Sequence, residues 1–294
     1  MTVCIGAICE GHTIFGACDR MITGGDIQFE PANQASPPSK IFMLTNSIVA
    51  MSAGDVGIQR EILGELVVAV SDRVRKEPSN WWQVKDVADL YVSIYDRLSM
   101  KRSRSAVLAP LGLDEHSFLQ RQKEMTDPFV EEVRRKLQNF SLPNVETILA
   151  GKDTQGPHIY ILIGSEVICA DLIGFGAIGS GRRHAQSQFM QARHDPMSKD
   201  AETLFLTYLA KKRAEIAPGV GRFTDMVKVG PEIGSAAVIN RNRIERLEEI
   251  YQQHLGREAD AWSKAKLAAT QYAEELKRES KQVEQRPVPQ AVFS

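Results

Sequence analysis

TVCIGAICEGHTIFGACD, residues 2–19, decides the fold. Two short runs of apolar and β-branched residues, TVCIGAIC and IFGACD, flank the polar, glycine-containing EGHT, which is the pattern of a β-hairpin. A hairpin commits the start of the chain to antiparallel pairing, because parallel neighbours need a long crossover between them.

The same period recurs outward from this hairpin. A polar, proline-rich loop, QFEPANQASPPSK, leads to IFMLTNSIVAMSAG, two further strand-like runs broken at Thr45-Asn46-Ser47. From Asp55 the period changes, and Val56, Ile62, Leu63, Leu66, Val70 and Val74 recur at helical spacing. A second helical stretch is expected from about Trp82 to Leu98, with the basic, irregular MKRSRSAVLAPLGL interrupting it before more helix through Phe140. Period two returns in ETILAGKD and PHIYILIG, which flank a DTQG turn, and in SEVICADLIG. Beyond GFGAIGSG, the stretches RRHAQSQFMQARH and AETLFLTYLAKKRAEIA read as helices, the second with Leu204, Phe205, Tyr208 and Leu209 on one face. DMVKVG and SAAVIN make a last pair of strands. Runs of strands alternating with runs of helices predict an α+β fold of antiparallel sheets with helices segregated on their faces.

The expected domain is residues 2–240, with a helical insertion at about 100–126. Residues 241–285 read as a charged helical extension with Ile244, Leu247, Ile250, Tyr251 and Leu255 as its apolar stripe, and 286–294 as a flexible tail.

Composition narrows the function classes. The chain has 294 residues, 43% hydrophobic and 25% charged, an ordinary globular composition with enough length for a sizeable core. Its 36 basic residues against 37 acidic ones supply no positive field for nucleic acid or an anionic membrane. Cys4, Cys9, Cys18 and Cys169 have no CxxC spacing, and three lie in apolar runs, so buried free thiols of a reducing compartment are expected. Glu10 and His12 interrupt the first apolar run too early for a signal peptide, and the apolar stretch from Ile159 carries Glu166 and Asp171. A cytoplasmic location is the resulting expectation.

The six histidines show no ligand spacing, so neither metal nor cofactor is expected. GFGAIG fits the dinucleotide fingerprint GxGxxG, but that unit needs a second parallel strand ending in an acid about 20 residues on. Here another helix follows instead. The run KRSRS from Lys101 reads as a solvated loop rather than a nucleic-acid contact.

Thr2 carries the chemistry. If Met1 is removed, Thr2 holds a free α-amine and a hydroxyl on neighbouring atoms. An α-amine has a reference pKa of about 7.7–8.0 against about 10.4 for lysine, so it can act as base to its own hydroxyl near neutral pH. A small residue behind methionine is commonplace, and what gives Thr2 weight is its company. Such a site needs a lysine nearby, a carboxylate to hold the lysine, and backbone donors for the oxyanion. Asp19 ends the second strand and Lys40 begins the third, ends that an antiparallel sheet can bring to Thr2. Gly54 closes a strand just before a helix, where unpaired backbone N–H groups occur.

TV at the start, GACDR, SKIF, SIVAMSAGD before a helix, ILAGKDTQGPHIYI, and AIGSG before another helix resemble, in order and spacing, the β-type proteasome family of N-terminal nucleophile hydrolases. The likeness runs from Thr2 to about Asn240. It implies a four-layer αββα sandwich, a homo-oligomeric ring, an AAA-type unfoldase as partner, and hydrolysis of peptide or unfolded protein in a closed chamber. It also implies that loss of Met1 suffices to expose the nucleophile, as in the simpler bacterial members. Carried across, Thr2 matches the nucleophile, Asp19 the carboxylate that orients the lysine, Lys40 the lysine, Gly54 the oxyanion-hole glycine and Ser180 the serine near the α-amine. Ser52 and Val56 fall where the family lines its primary specificity pocket.

The chain departs from the family where a late loop usually supplies an acid and a serine: Ala217 and Val220 stand there, in APGVGRFTD, with Asp225 on the following strand. Two other functions share the fold: a catalytically silent ring subunit, and an amidase acting on a small amide.

Overall fold

The structure, a computed structural model, describes residues 2–24, 27–30 and 39–284. Met1, most of the proline-rich loop and the tail expected at 286–294 lie outside the described residues.

In chain order the strands are β1 (Cys4–Cys9), β2 (Thr13–Asp19), β3 (Ile22–Gly24), β4 (Ile27–Phe29), β5 (Ile41–Met43), β6 (Ile48–Gly54), β7 (Val145–Asp153), β8 (Gly156–Ile163), β9 (Glu166–Cys169), β10 (Phe175–Ile178), β11 (Thr224–Val229) and β12 (Ala237–Val238). The helices are α1 (Val56–Lys76), α2 (Val84–Val107), α3 (Glu115–Arg121), α4 (Asp127–Gln138), α5 (Arg182–Gln191), α6 (Asp200–Ala214) and α7 (Arg241–Glu284). The quoted stretch forms the expected hairpin, with Cys4 opposite Cys18 and Cys9 opposite Thr13. Among the described residues the strands make two antiparallel five-stranded sheets, ordered β10-β1-β2-β11-β12 and β5-β6-β7-β8-β9, and a ribbon of β3 and β4.

Side-chain alternation explains the layering. Successive residues of a strand face opposite sides of the sheet. Val3, Ile5 and Ala7 point one way, into a cluster with Ala185 and Phe189 of α5 and Ala210 and Ala214 of α6. Cys4 and Ile8 point the other way, against Val49, Met51, Ile148 and Ile159 of the second sheet. Ile48 and Ala50 of β6 then face outward to Ile62, Leu66 and Val70 of α1 and Val87 and Tyr91 of α2. Helices, sheet, sheet, helices is a four-layer αββα sandwich. Each central strand is buried on both faces, which is why its sequence is almost continuously apolar.

Two expectations about helices need correcting. α2 continues through MKRSRSAV to Val107, so KRSRS is helical and not a loop. Lysine, arginine and serine permit a helix, and Arg97 and Arg102 pair with Glu65 and Glu61 of α1. The irregularity comes only at Ala109–Leu111, where Pro110 stands. Leu108, Phe118 and Val133 then form a small core of their own beneath α3 and α4. In α6, the buried residues are Thr203, Thr207, Tyr208, Ala210, Lys211 and Ala214, and Leu204, Phe205 and Leu209 are only half-buried. Small and hydroxyl side chains let this helix approach β1 and β2 closely.

The chain divides into two compact units, Met1–Ile244 and Glu245–Ser294. The second carries most of α7, along which Trp262, Leu267 and Tyr272 are exposed. No helix among the described residues is long and apolar enough to cross a membrane.

Candidate active site

The hairpin register sets the site. Because Cys4 lies opposite Cys18, the start of β1 and the end of β2 are adjacent, and Thr2 comes beside Asp19. Asp19 is fully buried. Its Oδ1 accepts hydrogen bonds from Thr2 Oγ1, from Val3 N at 2.8 Å and from Lys40 Nζ at 2.9 Å. Its Oδ2 accepts from Met21 N at 2.9 Å and Gly221 N at 3.0 Å. A carboxylate taken out of water is tolerated only when its lone pairs are met this completely. Lys40, its side chain 15% exposed, also donates to Thr2 Oγ1. The Thr2 hydroxyl thus donates to Asp19 and accepts from Lys40, with a lone pair held by an ammonium.

Lys40 precedes β5 and is bound to the neighbouring strand: its carbonyl accepts from Ser52 N at 3.3 Å. Ser52 itself is buried, its Oγ 2.6 Å from Thr147 Oγ1. Gly54 ends β6 with φ +110°, and a Cβ there would run into the Asn144 carbonyl. Asp55 then caps α1, accepting from Ile58 N at 2.9 Å.

On the opposite side Thr2 is held through its carbonyl. That oxygen accepts from Gly181 N at 3.2 Å and Ser180 Oγ at 3.3 Å. Ser180 Oγ is also 3.2 Å from the Pro218 carbonyl. Gly179, with φ +84°, allows this approach, since a Cβ would collide with the Thr2 carbonyl.

Two cavities meet at Thr2. One, about 380 Å³, is lined by Met21, Lys40, Phe42, Ser52, Val56 and Gln59 among others, so Ser52 and Val56 both face it. The other, about 510 Å³, is lined by Asn144, Glu146, Gly179, Ser180, Arg182 and Arg183. Thr2, Ala53 and Gly54 belong to both.

Ala217 and Val220 are buried in the apolar cluster under α5 and α6. Asp225 lies on β11 and binds Arg20, whose Nε is 2.8 Å away. Sequence reasoning missed two groups. Lys211 of α6 is fully buried, and its Nζ donates to Glu215 at 2.7 Å and to the carbonyls of Gly221 and Arg222 at 2.9 and 2.8 Å. Burial pushes its pKa down, and Glu215 opposes that. Since Gly221 N binds Asp19, Lys211 braces the loop on which Asp19 leans. Glu146, at the head of β7, accepts from Gly179 N at 2.7 Å and Arg182 Nη1 at 2.9 Å. An acid directly before the run TILAG of β7 was the signal available for it.

GFGAIG includes β10, which runs antiparallel to β1, so no βαβ unit surrounds it. Among the described residues no group of three or more histidine, cysteine, aspartate or glutamate side chains could hold a metal ion. Cys4, Cys9 and Cys18 are buried free thiols, and Cys169 is an exposed one. No protein-family model matches this sequence, and no curated protein matches it.

Proposed function

We propose that this chain is a threonine-type endopeptidase of the N-terminal nucleophile class, with Thr2 as nucleophile once Met1 is removed. The observation that carries the reading is the Thr2 hydroxyl bonded to both Asp19 and Lys40 at the junction of two cavities. Thr2 Oγ attacks the scissile carbonyl, and its α-amine accepts the hydroxyl proton. The Lys40 ammonium, held by Asp19, favours the anionic character that develops at Oγ. Gly54 supplies the oxyanion donor. N–H groups two residues apart on a strand point the same way, so Gly54 N–H follows Ser52 N–H toward the Lys40 side, beyond the start of β5. Collapse of the tetrahedral adduct breaks the C–N bond and returns the proton to the leaving amine. Water then adds to the Thr2 ester, again with the α-amine as base, and releases the acid.

A homo-oligomeric ring, an AAA-type unfoldase partner and a cytoplasmic location belong to the same proposal. Exposed apolar side chains such as Leu172, Ile173 and Ile216 are compatible with burial between copies. Thr2→Ala is expected to abolish peptide cleavage while leaving the elution volume of the purified protein unchanged. Undiminished turnover in that variant would place the activity elsewhere, and a wild type that cleaves no peptide would favour the silent subunit.

A further inference from the structure

We propose that the cavity lined by Arg182 and Arg183 selects a carboxylate on the leaving-group side of the substrate; the inference rests on the peptidase reading. A chain lying across Thr2 must occupy both cavities, because Thr2, Ala53 and Gly54 line each of them. With the acyl part on the Lys40, Ser52 and Val56 side, the leaving part enters the cavity of Asn144, Glu146, Arg182 and Arg183.

The charges in that cavity do not cancel. Its one carboxylate, Glu146, is buried and already engaged by Gly179 N, by Arg182 Nη1 and, at 3.5 Å, by Asn144 Nδ2. Arg182 is consumed by that pair. Arg183 lines the cavity, is exposed, and has no hydrogen-bond or ion-pair partner among the described residues. The first turn of α5 contains no acidic residue, so nothing on that helix quenches the cation or the partial positive charge of the helix start. Two arginines against one satisfied acid leave an anion site 510 Å³ in volume, beside the nucleophile. The matching chemistry is a carboxylate, for which a guanidinium offers paired N–H donors. It can come from an acidic side chain just after the cut bond, or from the C-terminus of a substrate cut near its end.

The test is a set of internally quenched peptides with one acyl-side sequence. The first arm places Glu, Gln or Lys in the two positions after the cut; the second ends two residues after the cut in a free carboxylate or an amide. Because Arg183 is exposed and screened, the expected preference is modest: kcat/KM about three- to fivefold higher for Glu over Gln or for carboxylate over amide, and lowest for Lys. Preference in either arm alone supports the site and identifies the source of the carboxylate. Arg183→Met should bring the preferred ratio to about one, and Arg183→Glu should invert it toward Lys. Equal turnover of all members by the wild-type protein, or a ratio indifferent to both substitutions, overturns the carboxylate site while Thr2-dependent cleavage keeps the peptidase reading. Absence of cleavage, or cleavage that survives Thr2→Ala, overturns both.

Discussion

On the Asp19 side of Thr2, two side chains and three backbone N–H groups converge on one buried carboxylate. On the 217–221 side, Ala217 and Val220 turn into an apolar cluster, and Thr2 is met through its carbonyl, by Gly181 N and Ser180 Oγ. The hydroxyl is therefore oriented by charged partners and the carbonyl of Thr2 by neutral hydrogen bonds from the turn before α5. At the two positions where the family resemblance would place an acid and a serine, Ala217 and Val220 make hydrophobic contacts instead. The two sides meet at Gly221, whose N–H serves Asp19 and whose carbonyl serves Lys211.

Breaking the charged side should have the largest effect. Asp19→Ala, which leaves Lys40 without its anion, is expected to lower kcat/KM by about 10²–10⁴, and Lys40→Ala by a similar factor. Measured peptide turnover within tenfold of wild type for either would show that the hydroxyl is not activated there. Next comes the joint between the sides. Lys211→Met leaves Glu215 with Lys212 alone and removes the donor from the buried Gly221 carbonyl and from the Arg222 carbonyl, so a loss of about 2 kcal/mol in unfolding free energy is expected in urea titration, with a fall in kcat larger than any change in KM. Preserved stability would mean that Lys211 does not brace the loop. The apolar side should respond least. Val220→Ser puts a hydroxyl into the cluster at a cost of about 1–2 kcal/mol, with kcat/KM within about threefold of wild type. A large gain in activity would show instead that the amine lacks the polar support it needs.

A control lies away from both sides. His158 contacts Asp171 at 2.7 Å and Asp153 at 3.2 Å. The hydrogen bond to Asp171 raises its pKa, burial opposes this, and the charges of Asp153 and Asp171 add to it. A raised folded-state pKa contributes stability that is full below about pH 6.5 and is lost as pH rises through the folded value. The Tm difference between wild type and His158→Gln should accordingly be greatest near pH 6 and smallest near pH 9, checked by calorimetry across that range. A difference that grows with pH would contradict the ion-pair geometry.

How much of this was legible in the sequence differs between the same regions. The central strands could be read because both faces are buried and the runs are unmistakably apolar. Asp19 and Lys40 could be placed near Thr2 because they stand at strand ends that a hairpin must bring together. The face of α6 could not, because threonine is near neutral in hydropathy, alanine is only weakly apolar and lysine reads as solvent-facing, and burial there follows from close packing on the sheet. Lys211, one of three consecutive basic residues, had every reason to look solvated. The continuation of α2 was hidden for a related reason: its basic residues are held by glutamates of α1, a tertiary contact that local pattern does not reveal.

We propose that Thr2 is the N-terminal residue and the nucleophile. Both parts are read by intact-mass and peptide-mapping spectrometry of the purified full chain, with and without a peptide epoxyketone. The expected result is a mass lacking Met1 and one adduct per chain that bridges the α-amine and Oγ of Thr2. Retained Met1, or an adduct mapped to any other residue, would contradict it.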